Sequence, residues 1–362
     1  MSLEKLLSEE IDRREFLETS GKAALAVGGG LTLDALLSSC ATIGSKETRQ
    51  DVERIHWDCN PILPIPDKGC YVGTNEEAGF FWPETEKIVV DSFKQSYGTT
   101  PAFNSVGGKY HVNNYMFPPE TCKAAIELGV IPVMVYSTQP FKGYKPIIKG
   151  KFDDVIMEFA HKVAQFGHPI VLLPFVQPNE PGRHHTPWGG YPPNQYKDAW
   201  VRLHDLFSKE GANRNTIWSS KLKVGSWPSF IYPNPFAYIP PEQYIDIIGW
   251  QANNHSAEHL GLYSKFLESL FDRYYRKAER KYPRKPQGFW ELSSPWDPKQ
   301  HIWWDNTLEI IKNKYFRVKV VAMDVISYRG DFYFDARQTP ETKQVIRKHF
   351  SDPYFIGSKK TN

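Results

Sequence analysis

The chain has 362 residues, with 44 Lys and Arg against 41 Asp and Glu and a formal net charge of +3, a length that allows one large domain or two ordinary ones. Hydrophobic residues make up 41% and charged residues 23%, which excludes wholesale disorder; the near-neutral balance leaves no electrostatic footprint for nucleic acid, and no stretch approaches the roughly 20 apolar residues of an internal membrane span. The composition stands out in its aromatics, 11 Trp, 19 Tyr and 22 Phe, residue types that fill cores and also form platforms for sugar rings.

At the N-terminus, Arg13 and Arg14 in Asp12-Arg13-Arg14-Glu15-Phe16-Leu17 precede an apolar stretch from Ala23 to Leu37. This resembles a twin-arginine export signal, and Leu37-Ser38-Ser39-Cys40 resembles a bacterial lipoprotein box. The pair implies that residues 1–39 are a removable signal peptide and that Cys40 is lipidated. The chain would pass through the twin-arginine export machinery, cross the inner membrane and be held at the cell envelope by its N-terminal lipid. Residues 40–65 read as a polar, proline-containing tether. An oxidising compartment would permit a Cys59–Cys70 disulfide and leave Cys122 unpaired.

Beyond the tether, short apolar strands alternate with longer amphipathic stretches. The predicted strands are Cys70–Gly73, Ala102–Val106, Ile131–Tyr136, Ile170–Val176, Thr216–Ser219, Ile245–Trp250, Gln287–Trp290 and Val318–Val325. Helical spacing covers Asp153–Phe166, with Val155, Phe159, Val163 and Phe166 on one face, and also Gln195–Ser208, Leu262–Arg280 and His301–Lys312. Eight strands alternating with helices fit a single (β/α)8 TIM barrel over residues 66–355, followed by a short tail, 356–362. A doubly wound open sheet would need a Gly-rich phosphate loop after the first strand, and Gly73-Thr74-Asn75-Glu76 is not one.

Functional residues of such barrels sit at the C-terminal ends of strands. Two glutamates fall there: Glu180, after the fourth strand in Gln177-Pro178-Asn179-Glu180-Pro181, and Glu291, at the end of the seventh. Strands four and seven face each other across a barrel mouth. Paired carboxylates are what glycoside hydrolysis needs, one to protonate the leaving oxygen and one to attack the sugar or activate water. Trp188, Trp218, Trp250, Trp290 and Trp296 are candidates to line a sugar cleft, each equally able to be core, and His184 and His185 lie in the loop beside Glu180.

An ordered series of segments resembles glycoside hydrolase family 26, whose founding members are β-mannanases. It includes Gly129–Met134, Lys149–Asp153, Gly167–Leu172, Trp188-Gly189, Tyr196–Arg202, Gly211-Ala212-Asn213, Ile217-Trp218-Ser219, Tyr244–Gly249, Lys285–Glu291, and Trp303 or Trp304. The resemblance implies a retaining endo-hydrolase of a β-linked, mannan-type polysaccharide. Glu180 would be acid/base, Glu291 nucleophile, and Asn179 a contact to the sugar hydroxyl beside the cleaved bond. The family pattern also has an Arg, a His and a Glu on and after strand four. Counting from Pro169, those places hold Leu173, Val176 and Gln177; counting back from Trp188-Gly189, the acid/base falls on Glu180. The family's Tyr after strand six corresponds to Asn253, a further substrate-side candidate.

No organic cofactor or metal is implied. His255-Ser256-Ala257-Glu258-His259 fits the H-x-x-E-H pattern of zinc peptidases, but no third ligand accompanies it. The stronger alternative is a catalytically degenerate barrel that binds a glycan without cleaving it, as the altered strand-four and strand-six positions suggest.

Overall fold

A computed structural model describes residues 56–75, 83–106, 116–136, 143–180, 189–224, 234–254, 266–294, 299–324 and 339–358. The signal and lipidation site at Cys40 lie outside these residues, as does the His255–His259 motif. Parallel strands run β1 (Cys70–Thr74), β2 (Phe103–Ser105), β3 (Ile131–Tyr136), β4 (Ile170–Pro174), β5 (Thr216–Trp218), β6 (Leu222–Val224), β7 (Ile248–Asn253), β8 (Gln287–Ser293) and β9 (Val318–Met323). The helices are α1 (Pro83–Tyr97), α2 (Pro119–Glu127), α3 (Lys145–Ile148), α4 (Asp153–Phe166), α5 (Pro193–Lys209), α6 (Leu267–Lys281), α7 (Gln300–Asn313) and α8 (Pro340–Phe350).

The strand order is β5-β4-β3-β2-β1-β9-β8-β7-β6. Its two ends meet within one stretch of chain. β5 pairs with β4 and β6 pairs with β7, while Ser219 between them bridges Ile247. β5 and β6 are therefore two halves of the fifth strand, and the molecule is a (β/α)8 barrel. The predicted fifth strand stops at Ser219 because Ser219-Ser220-Lys221 reads as a loop; in fact the chain kinks there and continues.

Strands covered on both faces read as continuous apolar runs: in β4, Ile-Val-Leu-Leu-Pro is buried throughout. In the helix layer, α4 turns Ile156, Phe159, Ala160 and Val163 inward, carries Asp153 and Asp154 in its first turn, and ends at Gly167 in the left-handed region (φ 70°). The aromatic excess goes largely into packing: Trp200, Trp218, Trp250, Trp290, Trp303 and Trp304 are all buried. Burying an indole contributes roughly 4–6 kcal/mol before the entropy of ordering is subtracted.

The segment 56–67, mostly in the predicted tether, is packed across the N-terminal face. The Asn60 N–H donates to Asp246, its side-chain amide donates to the carbonyls of Asn213 and Thr216, and Lys285 and Lys319 reach the carbonyls of Asp58 and Asp67. At the other end, the predicted tail begins inside a short strand, β10 (Phe355–Ile356), which pairs with the start of β1. The disulfide expectation is corrected: Cys59 and Cys70 are both free thiols. They sit in different surroundings, Cys59 beside Asp246 and Lys285 and Cys70 beside Lys319, and burial raises both above the ordinary thiol range. No helix among the described residues is long and apolar enough to cross a membrane.

Candidate active site

The seventh barrel strand, β8, carries the central carboxylate. Its pairing with β7 runs Gly249 to Gly288, Trp250 to Phe289, then Gln251 to Glu291, so Trp290 is an extra residue. Such a bulge re-aims side chains. Phe289 packs outward on Phe271 of α6. Trp290 points inward, its indole N–H donating to Ser219 Oγ (2.6 Å) and its ring meeting Phe103 edge-on. Strict alternation would send Glu291 outward, whereas the bulge turns it inward as well. β8 continues past it to Ser293, so Glu291 lies within the strand rather than at its predicted end.

Two amide donors and an ammonium converge on Glu291. Gln251 Nε2 (2.6 Å) and Asn253 Nδ2 (2.7 Å) both donate to its Oε1, and Lys221 Nζ lies 2.5 Å from its Oε2. The side chains of Lys221 and Glu291 are 1% and 5% exposed, so this charge pair is withdrawn from water. An ammonium and two amide N–H groups suit an ionised carboxylate. Asn253 thus touches the carboxylate from the place where the family pattern has its Tyr.

The second carboxylate comes from the β4 loop. Phe175 and Gln177 both take positive φ (51° and 56°), a conformation that costs non-glycine residues free energy and needs anchoring. The anchors are backbone hydrogen bonds: Phe175 N–H to the Tyr136 carbonyl and Gln177 N–H to the Lys221 carbonyl. Asn179 completes the hold. Its Nδ2 donates to the Lys223 carbonyl (2.9 Å) and its Oδ1 accepts from the Lys223 N–H (3.0 Å). Fully buried and engaged at both ends, Asn179 fastens the loop rather than facing a ligand. The next residue, Glu180, meets Lys223 Nζ at 2.6 Å, with both side chains partly accessible.

Lys221 and Lys223 are two apart on one extended segment, so they share a face, and each holds one carboxylate. Lys223, Gln251 and Glu291 lie in register across β6, β7 and β8. Neither lysine is marked by the sequence motifs, although Lys221-Leu222-Lys223-Val224 alternates polar and apolar as a strand lining a polar interior should. Gln251 lies one residue beyond the predicted strand Ile245–Trp250 and inside the observed one, Ile248–Asn253. Leu173, Val176 and Gln177, which the count from Pro169 puts at the places of the family's Arg, His and Glu, are all buried. Trp250 is core: its indole N–H donates to Gln287, and its ring packs on Phe236, Phe271 and Tyr274. Trp188, His184, His185 and Trp296 lie outside the described residues. Among the described residues, no three His, Cys, Asp or Glu side chains come together as a metal site.

No family model and no curated protein matches the sequence. Solved structures do match the fold. In architecture the chain is similar to family 26 glycoside hydrolases. GH26A from a Muricauda species shares 13% identity at a TM-score of 0.57, over 82% of this chain and 94% of that one. A β-mannanase from a symbiotic protist of the termite Reticulitermes speratus, complexed with gluco-manno-oligosaccharide, shares 14% at 0.55, over 80% and 89%. A modular endo-β-1,4-mannanase from Cellulomonas fimi shares 13% at 0.57, over 81% and 73%. At such identities the likeness to family 26 is one of fold, and the site has to be argued from its own residues.

Proposed function

We propose that this chain is a glycoside hydrolase that cleaves a β-linked polysaccharide, a mannan first, with retention of configuration. The observation that carries this reading is the placement of Glu180 and Glu291 at the C-terminal mouth of the barrel, each fixed by a lysine of the same strand segment. In a retaining reaction Glu291 attacks the anomeric carbon while Glu180 gives a proton to the departing glycosidic oxygen. Glu180 then takes a proton from the water that releases the sugar from Glu291. Lys223 Nζ, 2.6 Å from Glu180, is the proton-bearing neighbour of that residue. Gln251 and Asn253 hold the Glu291 oxygen opposite the one facing Lys221, which limits rotation of the nucleophile. The N-terminal sequence supports export and lipid anchoring at Cys40 as part of the same reading.

The lysines also favour a second reading. A carboxylate closed by an ion pair is a weaker nucleophile or acid, and Gln177 cannot donate a proton as an acid. In that reading the barrel holds a glycan without cleaving it. Hydrolysis of mannan, glucomannan, xylan and mixed-linkage glucan by the full chain, beside Glu180→Gln and Glu291→Ala, separates the two. Turnover lost in both variants supports the hydrolase. Loss with Glu291→Ala alone removes Glu180 from the mechanism. Retention of a glycan without turnover moves the assignment to the binding protein.

A further inference from the structure

The amide side chains around Glu291 have a polarity that follows from the carboxylate itself. An ionised carboxylate only accepts hydrogen bonds, so Gln251 and Asn253 must turn their NH2 groups toward it, and their amide oxygens are forced the other way. Those oxygens, Gln251 Oε1 and Asn253 Oδ1, are buried and have no hydrogen-bond partner among the described residues, and neither has the hydroxyl of Ser293. The three residues are contiguous. Gln251 is the register partner of Glu291 and Asn253 that of Ser293, and Glu291 and Ser293, two apart on β8 beyond its bulge, share a face. Buried polar atoms are normally paired, and Asn179 shows this barrel satisfying both ends of an amide where the role is structural. A cluster of unpaired acceptors beside the central carboxylate is thus a place shaped for donors that the described residues do not supply.

Charge narrows the class of ligand. Among the described residues, Lys221 is matched by Glu291 and Lys223 by Glu180, so each lysine already faces a carboxylate of the chain. A sugar carboxylate or sulfate would bring only more acceptors to the amide oxygens and would be repelled. A free hydroxyl supplies the missing donor, and an O-acetyl group in its place removes it. We propose that Gln251, Asn253 and Ser293 form a subsite beside Glu291 that reads free hydroxyls and selects unsubstituted, uncharged sugar rings over O-acetylated or acidic ones. The inference rests on the glycan-directed reading above but not on turnover.

The test is retention of the full chain in affinity gels. The gels would hold mannan, glucomannan, xylan or mixed-linkage glucan, each deacetylated and chemically O-acetylated, together with a polyuronate. We expect a deacetylated neutral glycan to retain the protein, its acetylated form to bind about tenfold or more weakly, and the polyuronate not to bind. Ser293→Ala, which removes only an unpaired hydroxyl, should weaken retention by about tenfold while leaving the melting temperature unchanged or higher. A hydroxyl with a structural role would lower the melting temperature instead. Equal retention by acetylated or acidic glycans, or unchanged retention of Ser293→Ala, overturns the subsite even if the enzyme hydrolyses its substrate. Selective retention without hydrolysis keeps the subsite and discards the hydrolase. Retention by no glycan overturns the subsite, and retention by none together with hydrolysis of none overturns the glycan-directed reading as well.

Discussion

Trp290 and Glu291 are consecutive residues, yet both side chains face the barrel interior, because β8 holds one residue more than β7 between Phe289 and Glu291. The first fills the interior through Ser219 and Phe103. The second is thereby delivered to Gln251, Asn253 and Lys221. Packing and chemistry are divided between neighbours by a single extra residue.

The Lys221–Glu291 pair gives a direct test of that delivery. Removing one member leaves a buried charge without its partner, which costs about 3–5 kcal/mol. We expect Lys221→Met and Glu291→Leu each to lose stability of that order. The double variant, which leaves no charge stranded, should recover most of it. Urea denaturation of the four proteins closes the cycle, and additive losses would mean that the two groups do not interact.

Gly249 tests how closely the kinked fifth strand lies on β7. A Cβ at this position would stand 1.8 Å from the Ser220 carbonyl oxygen and 2.4 Å from the Trp290 ring. We expect Gly249→Ala to cost more than about 2 kcal/mol, and to quench or shift Trp290 fluorescence in the folded protein. A variant as stable as the wild type would show that the strand can move away freely.

Glu86 should make stability fall with rising pH. This carboxyl on α1 is buried against Asn104 of β2, and burial pushes its pKa up to about 7 from 4.5, with the Asn104 hydrogen bond opposing. Between these values the folded protein binds the proton that the unfolded chain has lost, so stability drops across pH 4.5–7 and stays lower above. Glu86→Gln should flatten this slope, exceeding the wild type by up to about 3 kcal/mol at pH 8 and by nothing below pH 4. Melting curves across this range check it.

Asn179→Ala should release the β4 loop. Losing both hydrogen bonds to Lys223 exposes no side chain to solvent but strands a backbone N–H and carbonyl, at about 1–3 kcal/mol. Glu180, one residue on, should then lose its fixed approach to Lys223. Glycan turnover or retention is expected to fall further than the stability loss explains. Asn179→Asp, which keeps the acceptor alone, should lie between the two.

The barrel was legible because its signals are local and repetitive: eight apolar runs at regular intervals, with α4 bounded at Asp153 and Phe166 as its spacing predicts. Helices α1, α2 and α8 were passed over in the sequence, although each opens with Pro-Glu at its first turn, a start signal. Glu180 and Glu291 are singled out by their position in the fold. Their lysines are not, because Lys221 follows two serines that read as a loop, and no local pattern tells a strand that it will serve two neighbours in succession. Asn179 and Trp250 mislead for another reason. An amide and an indole are equally at home on a sugar and in a core, and only the partners they find, Lys223 and Gln287, decide between the two.

The division of the fifth strand also bears on how the site comes into being. Among the described residues, the sheet's two edges are joined where β5 leaves β4 and β6 takes up β7, and that joint holds Ser219, Lys221 and Lys223. Neither lysine can meet its carboxylate until chain segments more than 40 residues apart have been brought together, so the charge pairs cannot form before the fifth strand lies beside the β4 loop and β8. A ring that opens transiently at this seam would dismantle the site while leaving most of the helix layer intact. The hydrogen bond from Trp290 to Ser219 spans the same joint, which makes that indole a natural optical reporter of closure.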